Sequence, residues 1–181
     1  YNHSISNNDR TIDTDNAGGG SFDAIKNSLQ INQVRNIATY VWIWTALMTV
    51  QWITAINIVE DWSQNSEQRL RFFAIMEQVI SPLTLIVQLF FTNLIIKKIG
   101  IKNILLSYGI LFCIAFMLYG LIPSIISVGV VTVFLRVFEY GVNKPTRETI
   151  FSTFKKNDRY KSTVFIDTFI SRFGDLSGSG F

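Results

Sequence analysis

The chain holds one cysteine, one histidine and three prolines in 181 residues, and only 16% of it is charged, against about 25% in ordinary soluble domains. Each scarcity removes a class of chemistry. Cys113 falls within an apolar run, so neither an internal disulfide nor a cysteine metal site can form. It reads as a small core or lipid-facing residue. His3 lies in a polar tail, which leaves no histidine triad, no HExxH and no His-rich metal site. Most hydrolase chemistry goes with them. No Walker-type GxxxxGKS/T is present, and Gly18 to Ser21 lacks the strand and the lysine that such a phosphate cradle needs. An ATP-driven pump would therefore require another chain. The sequence opens with neither an initiator methionine nor a signal peptide with an A-x-A site, and is read as a piece of a longer protein.

What is abundant is grease: 49% hydrophobic and 14% aromatic residues. A net charge of +3 and a pI near 9.1 raise the question of nucleic acid. The basic residues, however, lie between long apolar runs and form no continuous patch interleaved with exposed aromatics, so no nucleic-acid partner is expected. Residues 1–24 are polar and Gly-rich and read as a flexible linker. Phe22, Ile25, Leu29 and Val34 then recur at roughly helical spacing, as in a short interfacial helix.

Five apolar runs follow, at about 37–58, 74–96, 103–122, 123–142 and 164–181. Each of the first four is long enough to cross a hydrocarbon core of about 30 Å. A soluble bundle of this size could not bury so much apolar length. The fold class expected is all-α: a polytopic transmembrane helical bundle occupying residues 25–181. Pro82 should kink the second span, and the stretch between spans one and two reads as a polar connection.

Lysine and arginine placement supports this division, because cytoplasmic loops carry the excess positive charge. Lys26 and Arg35 precede span one, Lys97, Lys98 and Lys102 separate spans two and three, and Lys144, Arg147, Lys155, Lys156, Arg159 and Lys161 separate spans four and five. The alternate loops hold only Arg69 and Arg71. The linker and loops 97–102 and 143–163 are thus expected on the cytoplasmic side, in a bacterial inner membrane.

Ionised groups at membrane depth are costly and rarely lack a partner or a task. Arg136 and Glu139, three apart at the end of span four, can pair with each other as a structural lock. Alternatively Arg136 faces a central cavity and attracts an anion, for whose oxygens a planar guanidinium is suited. In span five Arg172 and Asp175 are again three apart, and Asp167 lies eight residues before Asp175. These three face other helices or water, in gating, solute binding or a structural network. Gly174 and Gly178 form a GxxxG, a signal for close helix packing. Glu77, Gln78, Gln51 and Gln88 read as interhelical hydrogen-bonding groups.

The segment NKPTRETIF, followed by RYKSTVFIDTFISRFGD, resembles the ATP:ADP antiporter family, the non-mitochondrial nucleotide transporters related to the major facilitator architecture. The residues carrying the resemblance are Pro145, Arg147, Glu148, Tyr160, Lys161, Phe165, Ile166, Asp167, Arg172, Gly174 and Asp175. Lys144 stands where that pattern often has Arg, which keeps the charge and loses the bidentate fork. Thr163 stands where a second Lys is common. The resemblance covers about residues 18–181. It implies a partial major-facilitator-like fold in which the five spans correspond to helices seven through eleven of twelve, with an N-terminal helical half of the same protein as partner.

The function so implied is nucleotide exchange by alternating access, without metal or prosthetic group. Arg136 and Arg172 would face phosphates, and Lys144 and Arg147 would line the cytoplasmic entrance. Glu139, Asp167 and Asp175 would hold those bases when the site is empty. Two alternatives stay open: a carrier of another organic anion or a proton-coupled solute, and a non-transporting membrane anchor or sensor. A membrane enzyme is least favoured, since nothing pairs a nucleophile with a base.

Overall fold

The computed structural model describes residues 32–152 and 162–180. Among them there is no strand. Helix α1 spans Asn32–Trp62. The polar connection is much shorter than expected, because both flanking helices run into it: only 63–65 break the path before α2, Ser66–Ile86. The break is set by side chains. Asn65 caps α2 by accepting from the Glu67 N–H at 2.9 Å, and Glu67 adds negative charge to the first turn.

Helix α2 continues through Pro82 and departs from α geometry five residues later, in a π-turn at Val87–Phe91, before α3, Thr92–Ile99. Gly100, at φ +82°, joins α3 to α4, Ile101–Leu121. Only glycine adopts that backbone readily. Ser124 and Ser127 form a reciprocal capping box at the start of α5, Ile125–Phe138. A second π-turn, Glu139–Asn143, leads to α6, Lys144–Phe151, so the fourth span extends into what was read as the start of a basic loop. The segment 162–165 is helical, followed by a third π-turn at Ile166–Ile170 and by α7, Ser171–Ser179.

Among the described residues, four stretches are long and apolar enough to cross a membrane: Val34–Trp62, Ser66–Ile99, Ile101–Leu121 and Ile125–Phe151. The expected fifth span is helical over its described residues but carries Asp167, Arg172 and Asp175, and it lies outside those four.

The burial pattern suits lipid rather than water. On α4, Ile104, Tyr108, Phe112, Ala115 and Tyr119 point inward at helical spacing. The opposite stripe of Leu106, Ile110, Ile114, Met117 and Leu121 is exposed. In water such a stripe would be an aggregation liability; in a bilayer it is the solvent-matched face.

The core has three parts. The largest joins α1, α4 and α5 through Ala55, Val59, Phe112, Val128, Val131 and Leu135. A smaller one joins the N-terminal end of α1 to α6 and Ile166 through Val34, Ile37, Val41 and Phe151. A third joins Met76 and Ile80 of α2 to Val137 of α5. Helix α7 lies closest of all to α1. A Cβ on Gly174 would collide with Thr45 and come within 2.9 Å of the Trp42 carbonyl oxygen, and one on Gly178 would come within 2.8 Å of the Thr49 Cβ. This is the close backbone approach that a GxxxG permits.

Candidate functional site: a polar belt between α1 and α5

Helix α5 is two-faced. Ile126, Val130 and Phe134, four residues apart in turn, are exposed, and two apolar surface grooves flank this side. One, of about 280 Å³, runs between Leu111, Ile114 and Leu118 of α4 and Val130 and Phe134. The other, of about 520 Å³, runs between Leu83, Val87 and Val133. Neither has a charged residue in its lining. At i, i+4, i+7 and i+11 spacing on the opposite side of the same chain segment stand Thr132, Arg136, Glu139 and Asn143. Every one of these polar side chains meets a partner on another element or on α6.

Thr132 and Tyr119 both accept from the Gln51 side-chain amide, at 3.3 Å and 2.8 Å, closing a buried three-helix network. Arg136 does not pair with Glu139. It reaches across to Glu77 of α2, and its guanidinium lies over the Trp52 ring of α1, 4.8 Å from the centroid. Phe73 supports that indole at 5.2 Å. The pair is open on one side, with the Glu77 side chain 54% exposed.

Glu139 and Arg147 pair with each other at 2.9 Å, bridging the second π-turn, and both are buried. Their spacing, eight residues with Asn143 midway, sets all three on one helix face. The Asn143 amide donates to the second Glu139 oxygen, and the Tyr40 hydroxyl of α1 donates to the Asn143 carbonyl at 2.8 Å. That second contact fixes which way the amide points. The Arg147 guanidinium lies over the Trp44 ring, 4.9 Å from its centroid. Trp44 also borders Tyr108, whose hydroxyl donates to the Leu135 carbonyl at 3.3 Å. Inside this belt Arg147 Nε is buried without an acceptor, and the buried Trp44 Nε1 has the Tyr108 hydroxyl beside it.

The remaining expected site residues lie elsewhere. Arg172 and Asp175 pair at 3.5 Å on α7, and both are exposed to a large extent. Asp175 also accepts from the Thr49 hydroxyl of α1 at 3.2 Å. Asp167, Lys144 and Glu148 are exposed and form no ion pair among the described residues. No group of His, Cys, Asp and Glu side chains among the described residues could hold a metal ion.

The first two π-turns face each other. Each π-turn leaves backbone carbonyls without their usual helical donor, and in lipid such groups must be satisfied from within the protein. Gln88 donates to the Tyr140 carbonyl at 2.9 Å, and the Thr92 hydroxyl lies within bonding distance of the carbonyls of Val87 and Gly141. Gly141 is needed for the approach, since a Cβ there would come within 2.7 Å of Val87.

Tyr40, Trp44 and Asn143 complete the belt, and residue type alone does not single them out. The Glu139, Asn143, Arg147 repeat was the available signal. No family model, curated protein or solved structure matches the chain.

Proposed function

We propose that the chain is part of a membrane carrier for an anionic solute, working by alternating access. The observation that carries this reading is the division of α5. One face is apolar and exposed, and the other gathers Arg136 and Glu139, with Arg147 beyond them, against α1 and α2. Of the five charged groups on the stretch Ile125–Phe151, Arg136, Glu139 and Arg147 are turned from its lipid side, which suits a water-lined path through a bundle. Arg136 has the open position and would receive the solute. Its guanidinium carries the planar fork that carboxylate and phosphate oxygens fit.

From the resemblance to the ATP:ADP antiporters we infer that the solute is a nucleotide, exchanged for its counterpart, and that a further helical half closes the site. Lys144 and Glu148 then border the entrance, and Arg172, Asp175 and Asp167 of the fifth helix face that half or the path. The test is uptake of labelled ATP by vesicles holding the full-length protein, with and without internal ADP. Uptake that depends on internal ADP is expected, and its loss in Arg136→Ala ties it to this face. Uptake indifferent to internal ADP but driven by a pH gradient would replace nucleotide exchange with proton-coupled transport. No uptake of any anion would leave a non-transporting membrane module.

A further inference from the structure

The polar belt is donor-rich. Arg147 alone carries five N–H groups, and Asn143, Tyr40, Tyr108 and Trp44 add more, whereas the charged acceptor is the single carboxylate of Glu139. That carboxylate takes one nitrogen of the guanidinium, Nη2, on one oxygen and the Asn143 amide on the other. Arg147 Nε is left buried with nothing to donate to, and Trp44 Nε1 has only the Tyr108 hydroxyl beside it. Buried N–H groups without acceptors are uncommon in proteins and ask for an explanation, an acceptor that comes and goes among them.

We infer that Arg147, with Trp44 beneath it, is a seat for an oxyanion of the phosphate class, and that Glu139 is the internal occupant which such an anion displaces. An oxyanion offers three or more acceptor oxygens where the glutamate offers two, so it can engage Nε and Nη2 together. The identity of the acceptor has a mechanical consequence. Glu139 begins the second π-turn and Arg147 lies on α6 beyond it, so their ion pair is a strap across that turn. Once the anion holds Arg147, Glu139 keeps the neutral Asn143 and Tyr108 and loses its paired countercharge, and a buried carboxylate in that state is strongly disfavoured. The occupied state is therefore relieved by opening the belt to water, with α6 and α3 moving at the two facing π-turns. This rests on the carrier reading for its use only. Phosphate binding is measured without transport, so a protein that binds phosphate and exchanges no nucleotide would overturn the carrier and leave the seat intact.

The experiment titrates inorganic phosphate, at constant ionic strength set with chloride, into the full-length protein in neutral detergent, reading tryptophan fluorescence and amide hydrogen exchange over residues 144–151. The expected result is saturable binding, faster exchange in that segment at saturation, at least tenfold tighter binding in Glu139→Gln and at least tenfold weaker binding in Arg147→Lys, which keeps charge and loses the fork. Unchanged or weaker binding in Glu139→Gln would overturn displacement. Wild-type binding in Arg147→Lys would overturn the seat. The wild-type exchange measurement decides even where a variant does not fold: no phosphate effect, or slower exchange in 144–151, sinks the inference. Repeating the titration in phosphatidylglycerol and phosphatidylcholine bilayers separates a lipid headgroup from a free anion. Loss of the signal in both means that a headgroup phosphate takes the same seat, and loss in the first alone, persisting at raised ionic strength, means that an anionic headgroup does.

Discussion

Arg136 and Arg147 are built from the same parts and live in different worlds. Each lies over a tryptophan of α1, at 4.8 Å and 4.9 Å from the ring centroid, and each is held by a glutamate. Arg136 pairs between helices with a glutamate that is more than half exposed, whereas Arg147 pairs along its own chain with one that is buried. Coulomb attraction at an open site is screened and offset by the entropy of two ordered side chains. At the closed site the attraction is stronger, but so is the cost of removing either partner. The first arginine is thus open to a new partner as it stands, whereas the second can change partners only if the belt opens, although both are arginines over a tryptophan of α1.

The largest effect should come from breaking the closed pair. Arg147→Ala leaves the buried Glu139 carboxylate without its countercharge and is expected to cost about 3–5 kcal/mol, read by unfolding of the purified protein in detergent. Replacing both partners, with Arg147→Met and Glu139→Leu together, should recover most of that loss. A single variant that melts within about 1 kcal/mol of wild type would mean that the pair is not sealed. Next in size is Gly174→Val, which forces α7 away from Thr45 and Trp42 of α1. Overpacking of this kind costs about 1–3 kcal/mol, and Trp42 emission should shift while Trp52 emission holds, measured in variants that retain one or the other indole.

Breaking the open pair should barely move stability. Arg136→Ala is expected to cost about 1 kcal/mol or less, while under the proposed function nucleotide uptake falls at least tenfold. If instead stability collapses, the two arginines are equivalent and the contrast fails. The smallest effect belongs to α7, where Arg172 is 81% exposed. Arg172→Ala should shift unfolding by under about 0.5 kcal/mol.

Hydropathy alone marked the four membrane-length helices, because about twenty apolar residues in a row have few other homes. Their ends were harder to place. The flanks of α1 and α2 alternate polar with apolar residues, so Val59 to Phe73 read as a loop although only 63–65 interrupt the helices. The Asn65 cap with Glu67 behind it was a signal that hydropathy does not weigh. Spacing told which charged groups share a face and not which helix lies opposite. Arg136 and Glu139 are three apart and could pair, yet Glu77 and Arg147 were better placed for each. Glu77, Gln51 and Gln88 were legible as interhelical donors or acceptors, since an uncompensated polar group in an apolar helix needs a partner, whereas Gln78, read in the same way, is exposed on α2. The π-turns had no such trace. Val87–Phe91 looks like any apolar run, and only the packing of Gly141 against Val87, with Thr92 and Gln88 answering the freed carbonyls, selects the wider turn.

The helices are unequal in length. Ile101–Leu121 has 21 residues, which is about 32 Å of helix and a near match to a bilayer interior. Ser66–Ile99 has 34, or about 51 Å, and must lean or project. Thinning the membrane therefore increases the lean of the long rod while the short one stays nearly upright, and the two are hinged at Gly100. Bilayer thickness is thereby converted into an angle at one residue whose backbone no side-chain-bearing residue adopts readily.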